Sequence, residues 1–225
     1  MYACYIVFNN EPTISKSLKS ILPYVEKIVA VDGAYANFPH KKPQSTDATK
    51  KIFFKLCGEK LIWVSWGEKP WLNQIVKRNE YVKRVPDGKW FIVIDGDKVI
   101  EGNVSEGFRF AEASKYICIG VRSLYYEPRW DGPYARSDRH KYAIIPKEAW
   151  GTLKWNKIRG VGTWLYLKTK GMMYRGHHSR MYVDKKIVSR PQAVLNDVFM
   201  VNMKNKMGWE RWRDNLEYKT KNPIH

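Results

Sequence analysis

Paired cysteines, acidic residues and long apolar runs are scarce in this sequence, and each shortage excludes something. Cys4, Cys57 and Cys118 are its only cysteines, and none lies in the close pair that a zinc knuckle or a redox dithiol requires. The expected setting is therefore reducing and intracellular, the cytoplasm. No stretch approaches the roughly 20 apolar residues of a membrane-spanning helix. The apolar opening YACYIVF turns polar at Asn9; it is too short to span a bilayer and lacks the basic start and cleavage region of a signal peptide. Met1 is accordingly expected to open the first strand. Acids number 22 against 40 Lys+Arg, a net charge of +18, and such a surface attracts phosphate, whether in nucleotides, nucleic acid or anionic lipid. The basic residues are dispersed, with local clusters such as Lys50-Lys51 and Lys185-Lys186, so charge alone does not choose a partner. Internal repeats and low-complexity stretches are also missing.

What is present is ample core material: 44% of the 225 residues are hydrophobic and 14% aromatic, enough for one substantial domain over 1–225. The first half alternates strand and helix patterns. Tyr2 to Phe8 reads as a buried strand. Ile14, Leu18, Ile21 and Leu22 fall on one helical face, with Thr13 placed to cap and Pro23 placed to stop that helix. KIVAVD, ending in Asp32, is a second buried strand; Gly33 to Ser45 reads as a loop, TDATKKIFFKL as a helix and Leu61 to Trp66 as a third strand. Trp71 to Val85 has Ile75, Val82 and Val85 inward and ends at Pro86-Asp87-Gly88, after which Trp90 to Ile94 is a fourth strand. This alternation argues for an α/β fold with a mostly parallel central sheet flanked by helices.

Beyond Ile100 the pattern weakens. A helix near Ser105 to Ser114 and a strand at Tyr116 to Val121 precede an aromatic, arginine-rich section holding Tyr125, Tyr126, Trp130, Tyr134, Trp150, Trp155 and Trp164, which suits either a core or a ligand groove. Pro191 to Met203 reads as a helix with Val194, Val198 and Val201 on one side.

The fourth strand runs into Asp95-Gly96-Asp97, so two carboxylates join Asp32 at the carboxyl edge where open α/β sheets bind ligands. Two readings stand. Asp and Gly dominate ordinary turns, but paired acids at a strand end also suit magnesium or manganese, with coordination positions left for phosphate oxygens. In the second reading Gly96 lets a ligand approach the backbone.

The elements FNNEPTISKSLKSILPYVEKIVAVDGAY, QIVKRNEYVKR and WFIVIDGDKVI occur in that order, and over about the first 120 residues the chain resembles family 2 glycosyltransferases of the GT-A type. The resemblance implies a nucleotide-diphospho-sugar donor, UDP- or GDP-linked, bound by residues 1–100. The acceptor side would be 101–190 and a helical tail 191–225. It implies that Asn10 and Glu11 sit by the donor nucleotide, that Asp32 recognises its base or ribose, and that Arg78 and Asn79 border the donor pocket. Asp95 and Asp97 would together hold a divalent cation, Mn2+ or Mg2+, with Asp97 as its direct ligand and Asp95 also contacting donor sugar or ribose. A late histidine, His178 or His177 in YRGHHSRMY, would be a further metal ligand. The E-D pair that supplies a catalytic base in inverting members is missing. Asp131, among aromatics and beside Gly132-Pro133, is the candidate base, with Glu127 and Asp138 in reserve. Arg136, Arg139, Arg159 and Lys141 are available to neutralise phosphate.

A glycan, lipid or protein acceptor is open, and the Trp-bearing basic tail KNKMGWERWRDNLEYK fits either a packed helix or a peripheral membrane contact. Two other functions compete. A nucleotidyltransferase of related fold lacks support because FNNEP is not a glycine-rich phosphate loop. A basic nucleic-acid-binding protein would leave the strand-end acids unexplained, so no nucleic-acid partner is expected.

Overall fold

The computed structural model describes residues 1–36, 42–126 and 155–202, with backbone alone for 124–126, 155–160 and 202. In chain order the elements are β1 (Tyr2–Val7), α1 (Glu11–Ile21), β2 (Lys27–Asp32), α2 (Thr49–Cys57), β3 (Leu61–Ser65), α3 (Gln74–Arg84), β4 (Trp90–Asp95), β5 (Lys98–Gly102) and α4 (Val104–Ala113). They continue as β6 (Cys118–Tyr126), β7 (Trp155–Leu167), β8 (Met173–Tyr174), β9 (Met181–Val183), β10 (Lys186–Ile187) and β11 (Ala193–Asn202). Among the described residues the large sheet runs β3-β2-β1-β4-β7-β6-β11-β5, and β10-β9-β8 make a small second sheet.

The α/β class and the helix-flanked sheet are as expected. Strands β3, β2, β1 and β4 are parallel to one another, and their runs are apolar because both faces are covered. Alternation along β1 divides the core. Ala3, Tyr5 and Val7 pack with Ile14, Leu18, Phe53 and Phe108 on one face, whereas Tyr2 and Cys4 pack with Trp71, Tyr81 and Val82 on the other. The far half is mixed: β7 is antiparallel to both β4 and β6, β11 is parallel to β6, and β5 closes the edge antiparallel to β11.

Two boundaries differ from expectation. Helix α1 starts at Glu11, so Thr13 lies inside its first turn, where its hydroxyl donates to the Asn10 and Gly96 carbonyls at 3.3 and 2.8 Å. Helix α3 starts at Gln74, capped by the Asn73 side chain on the Val76 amide at 3.0 Å. Trp71 precedes it as a buried anchor whose indole donates to the Asp32 carbonyl at 2.7 Å.

The helix expected over Pro191 to Met203 is overturned, since Ala193–Asn202 is strand β11. Its pairing with β6 jumps from Leu195 to Phe199. That irregularity breaks the period of two, and the resulting spacing of Val194, Val198 and Val201 imitates a helix. Placement between two strands outweighs the local pattern. Of the aromatic section, Trp164 packs against the Tyr81 side of the core. Trp130, Tyr134 and Trp150, the side chains of Tyr125, Tyr126 and Trp155, and the basic tail from residue 203 lie outside what is described. No described helix is long and apolar enough to cross a membrane.

Candidate functional site

Register places the acids together. On one side of β1, Val7 pairs with Asp32 of β2; on the other, Ile6 pairs with Asp95 of β4. Two carboxylates therefore end the two parallel strands that flank β1, and Asp97 follows Asp95 across a turn into β5. Asp97 is 5% exposed.

The β1–α1 turn is laced to residues 45–49. Asn9, with φ +50, donates its amide to Ser45 Oγ at 2.8 Å and accepts from the Thr46 amide at 2.8 Å. The Asn10 amide donates to Thr49 Oγ1 at 2.7 Å, the Glu11 amide to Asp47 Oδ2 at 3.0 Å, and the Ala48 amide to Glu11 Oε2 at 3.0 Å. Ser45 closes the lacing on Asp32, whose Oδ1 accepts from its hydroxyl at 2.5 Å and Oδ2 from its amide at 3.1 Å. Burial raises the Asp32 carboxyl above its usual range, with the Ser45 hydrogen bonds and Lys77 opposing.

The glycine of the acidic turn serves packing as well as any ligand. A Cβ on Gly96 would stand 2.8 Å from Asn10 Cγ, so the Asn10 carboxamide fills the space a side chain would need. Asn10 Oδ1 in turn accepts the Phe8 amide at 2.8 Å. Gly96→Ala is expected to force Asn10 aside and lower stability by about 1–2 kcal/mol, which a urea melt measures.

Three consecutive residues of α3 reach three parts of this edge. Lys77, 2% exposed, donates to the Val7 and Gly33 carbonyls at 2.7 and 2.5 Å, at the ends of β1 and β2. Arg78 approaches Asp95 Oδ1 at 3.3 Å and donates to Tyr81 Oη at 3.2 Å. Asn79 binds both backbone groups of Tyr174 in β8, donating to its carbonyl at 3.1 Å and accepting its amide at 2.7 Å. Tyr81 adds a hydroxyl bond to Tyr174 at 2.9 Å. Helix α3 thereby holds the short sheet whose β8–β9 turn carries His177 and His178.

Both histidines are exposed and lie side by side, with ring centroids 4.2 Å apart and planes tilted by 34°, and His177 Nδ1 lies 2.7 Å from Ser179 Oγ. Burial, then His177 and Arg78, hold the His178 imidazole below its usual pKa, while Asp95 pulls the other way. Among the described residues no three His, Cys, Asp or Glu side chains form a ready metal cluster. Asp131, Glu127, Asp138, Arg136, Arg139 and Lys141 lie outside the described residues, as does the Arg159 side chain.

Sequence reasoning passed over Lys77, Lys98 and the Ser45–Thr49 lacing. Lys98, the first residue of β5, sits 2.8 Å from Asp95 Oδ2. The signal for Lys77 was available: it precedes Tyr81 by four residues, and Arg78 precedes Val82 by four, which puts both cations on the inward face of α3.

No family model and no curated protein matches the chain. Similar solved structures include residues 1–349 of TarS from S. aureus, at 18% identity and TM-score 0.46, covering 59% of this chain and 38% of that one. A glucosyl-3-phosphoglycerate synthase from Mycobacterium tuberculosis, bound to Mn2+, UDP and glucosyl-3-phosphoglycerate, matches at 18% identity and TM-score 0.39, covering 57% of this chain and 44% of that one. A putative glucose-1-phosphate thymidylyltransferase from Bacillus anthracis matches at 11% identity and TM-score 0.44, covering 75% and 72%. The chain spans less than half of the TarS and synthase chains.

Proposed function

We propose that this protein is a metal-dependent glycosyltransferase that moves a sugar from a UDP- or GDP-linked donor to a glycan, lipid or protein acceptor with inversion. The observation that carries this reading is the convergence of Asp32, Asp95 and Asp97 with Arg78 at the carboxyl edge of β2, β1 and β4, where an open α/β sheet receives a nucleotide.

Magnesium and manganese at phosphate sites use one or two carboxylates and take their other ligands from phosphate and water. Asp97 and Asp95, on one turn, fit that donor set, with His178 or His177 as a further ligand. The bound cation supplies charge neutralisation of the leaving diphosphate. Asp32 orients the base or ribose from its buried seat beneath Ser45. Asn10 and Glu11 shape the donor edge through the laced turn, and Arg78 adds positive charge beside Asp95. Asn79 acts as a positioning residue, since both ends of its amide hold the strand that leads into the histidines. Asp131 takes the proton of the acceptor hydroxyl as that oxygen attacks the anomeric carbon. A reducing compartment suits the three free, buried thiols.

Calorimetric titration of UDP and of GDP into the wild-type chain, with Mn2+ and again with chelator, tests the reading. Binding that needs Mn2+ is the expected result and names the base. Absence of binding under both conditions overturns it.

A further inference from the structure

At the acidic turn the two carboxylates of Asp95 and Asp97 stand against two cations, Arg78 and Lys98, both of which reach Asp95. Before any donor arrives the edge is close to charge-balanced. Such a site has little net attraction for a lone divalent cation, whereas a nucleoside diphosphate brings the missing negative charge. The Asp95 carboxylate is moreover already shared. Arg78 approaches Oδ1 at 3.3 Å and Lys98 approaches Oδ2 at 2.8 Å. The two cations are held differently. Arg78 is fixed by Tyr81 and packed over the Tyr174 ring, its side chain 8% exposed. The Lys98 side chain is 18% exposed, its backbone is fixed by the pairing of β5 with β11, and among the described residues its ammonium also contacts the Gly162 carbonyl at a long 3.4 Å. A lysine ammonium on four rotatable carbons can change partners without moving the strand that carries it.

We propose that Lys98 is an exchangeable counter-ion: it holds the metal-binding carboxylate Asp95 while the site is empty and passes to the donor diphosphate when that binds, freeing Asp95 for the cation. The inference rests on the glycosyltransferase reading and adds to it a residue and an order of events. Metal and nucleotide then bind cooperatively, and the coupling is reciprocal. Lys98 opposes the metal in the empty site and supports the nucleotide in the filled one, so removing its charge moves the two affinities in opposite directions. A side chain that merely stabilised the turn would move both the same way.

The test uses the full chain and two probes, Mn2+ alone followed by electron paramagnetic resonance and UDP or GDP alone followed by calorimetry in chelator. Lys98→Met is expected to bind Mn2+ roughly five- to tenfold more tightly than wild type and the nucleotide roughly five- to tenfold more weakly. Lys98→Arg, which keeps the charge, is expected to stay near wild type on both. Lys98→Gln takes the place of Lys98→Met if that variant melts early. Unchanged Mn2+ affinity, or loss of both affinities together in a variant that melts like wild type, overturns the exchange. Failure of wild type to bind UDP or GDP even with Mn2+ overturns the underlying reading instead.

Discussion

Asp97→Ala is expected to abolish the manganese-dependent part of UDP or GDP binding, a loss of about 100-fold or more, while leaving the weaker binding seen in chelator. Asp97 sits across Gly96 from Asp95 and is 5% exposed, so truncation removes a carboxylate whose direction the turn has set. Asp95 stays beside Arg78 and Lys98, and a cation offered that carboxylate alone meets two positive neighbours. Asp97→Asn separates charge from shape, because it keeps the volume and loses the ligand. Calorimetry with Mn2+ and with chelator gives both numbers, and undiminished manganese dependence in either variant removes Asp97 from the metal site.

Lys77→Met is expected to change how stability depends on pH, by a margin that grows toward alkaline solution. Burial lowers the Lys77 ammonium from its usual 10.5 to about 7, with Asp32 opposing and Arg78 assisting. The folded protein therefore sheds this proton from about pH 7, while the unfolded chain keeps it until about 10.5. In that window the unfolded state binds more protons, and stability contributed at this position rises with pH. Between pH 6 and 9 wild type should gain roughly 1–3 kcal/mol relative to Lys77→Met. At every pH the variant also leaves the Val7 and Gly33 carbonyls without their lysine donor. Urea melts at three pH values measure the difference, and parallel stability curves for the two proteins would refute it.

Much of the parallel half was legible in the sequence because strands buried on both faces cannot hide. YACYIV, KIVAVD and WFIVID are apolar runs too short for helices, and each of the last two ends in the acid that matters. The acidic turn was readable because its two carboxylates are sequence neighbours, and its surroundings were not. Lysine is the residue least expected inside, so Lys77 was passed over although its helical phase pointed inward. Lys98 follows Asp97 directly, but its choice of Asp95 as partner exists only once β4 turns into β5. The turn that carries His178 is held through Asn79 on β8, a contact 95 residues apart in the chain. Strand β7 was not discerned because glycine, lysine and arginine interrupt its apolar alternation. Strand β11 was misread because its irregular pairing spaces three valines as a helix would.

The place of β11 has a consequence for how the protein is made. Strand β5 begins at Lys98, directly after Asp97, and among the described residues its sheet partner is β11 alone. A nascent chain can close the parallel half early, since β1, β2, β3 and the β1-facing edge of β4 pair among themselves. Yet the strand that follows the acidic turn waits without a partner until Ala193–Asn202 leaves the ribosome. Ligand competence would then arrive as a late and abrupt event in synthesis, and a chain stalled before β11 would carry all three strand-edge acids without the framework that aims them.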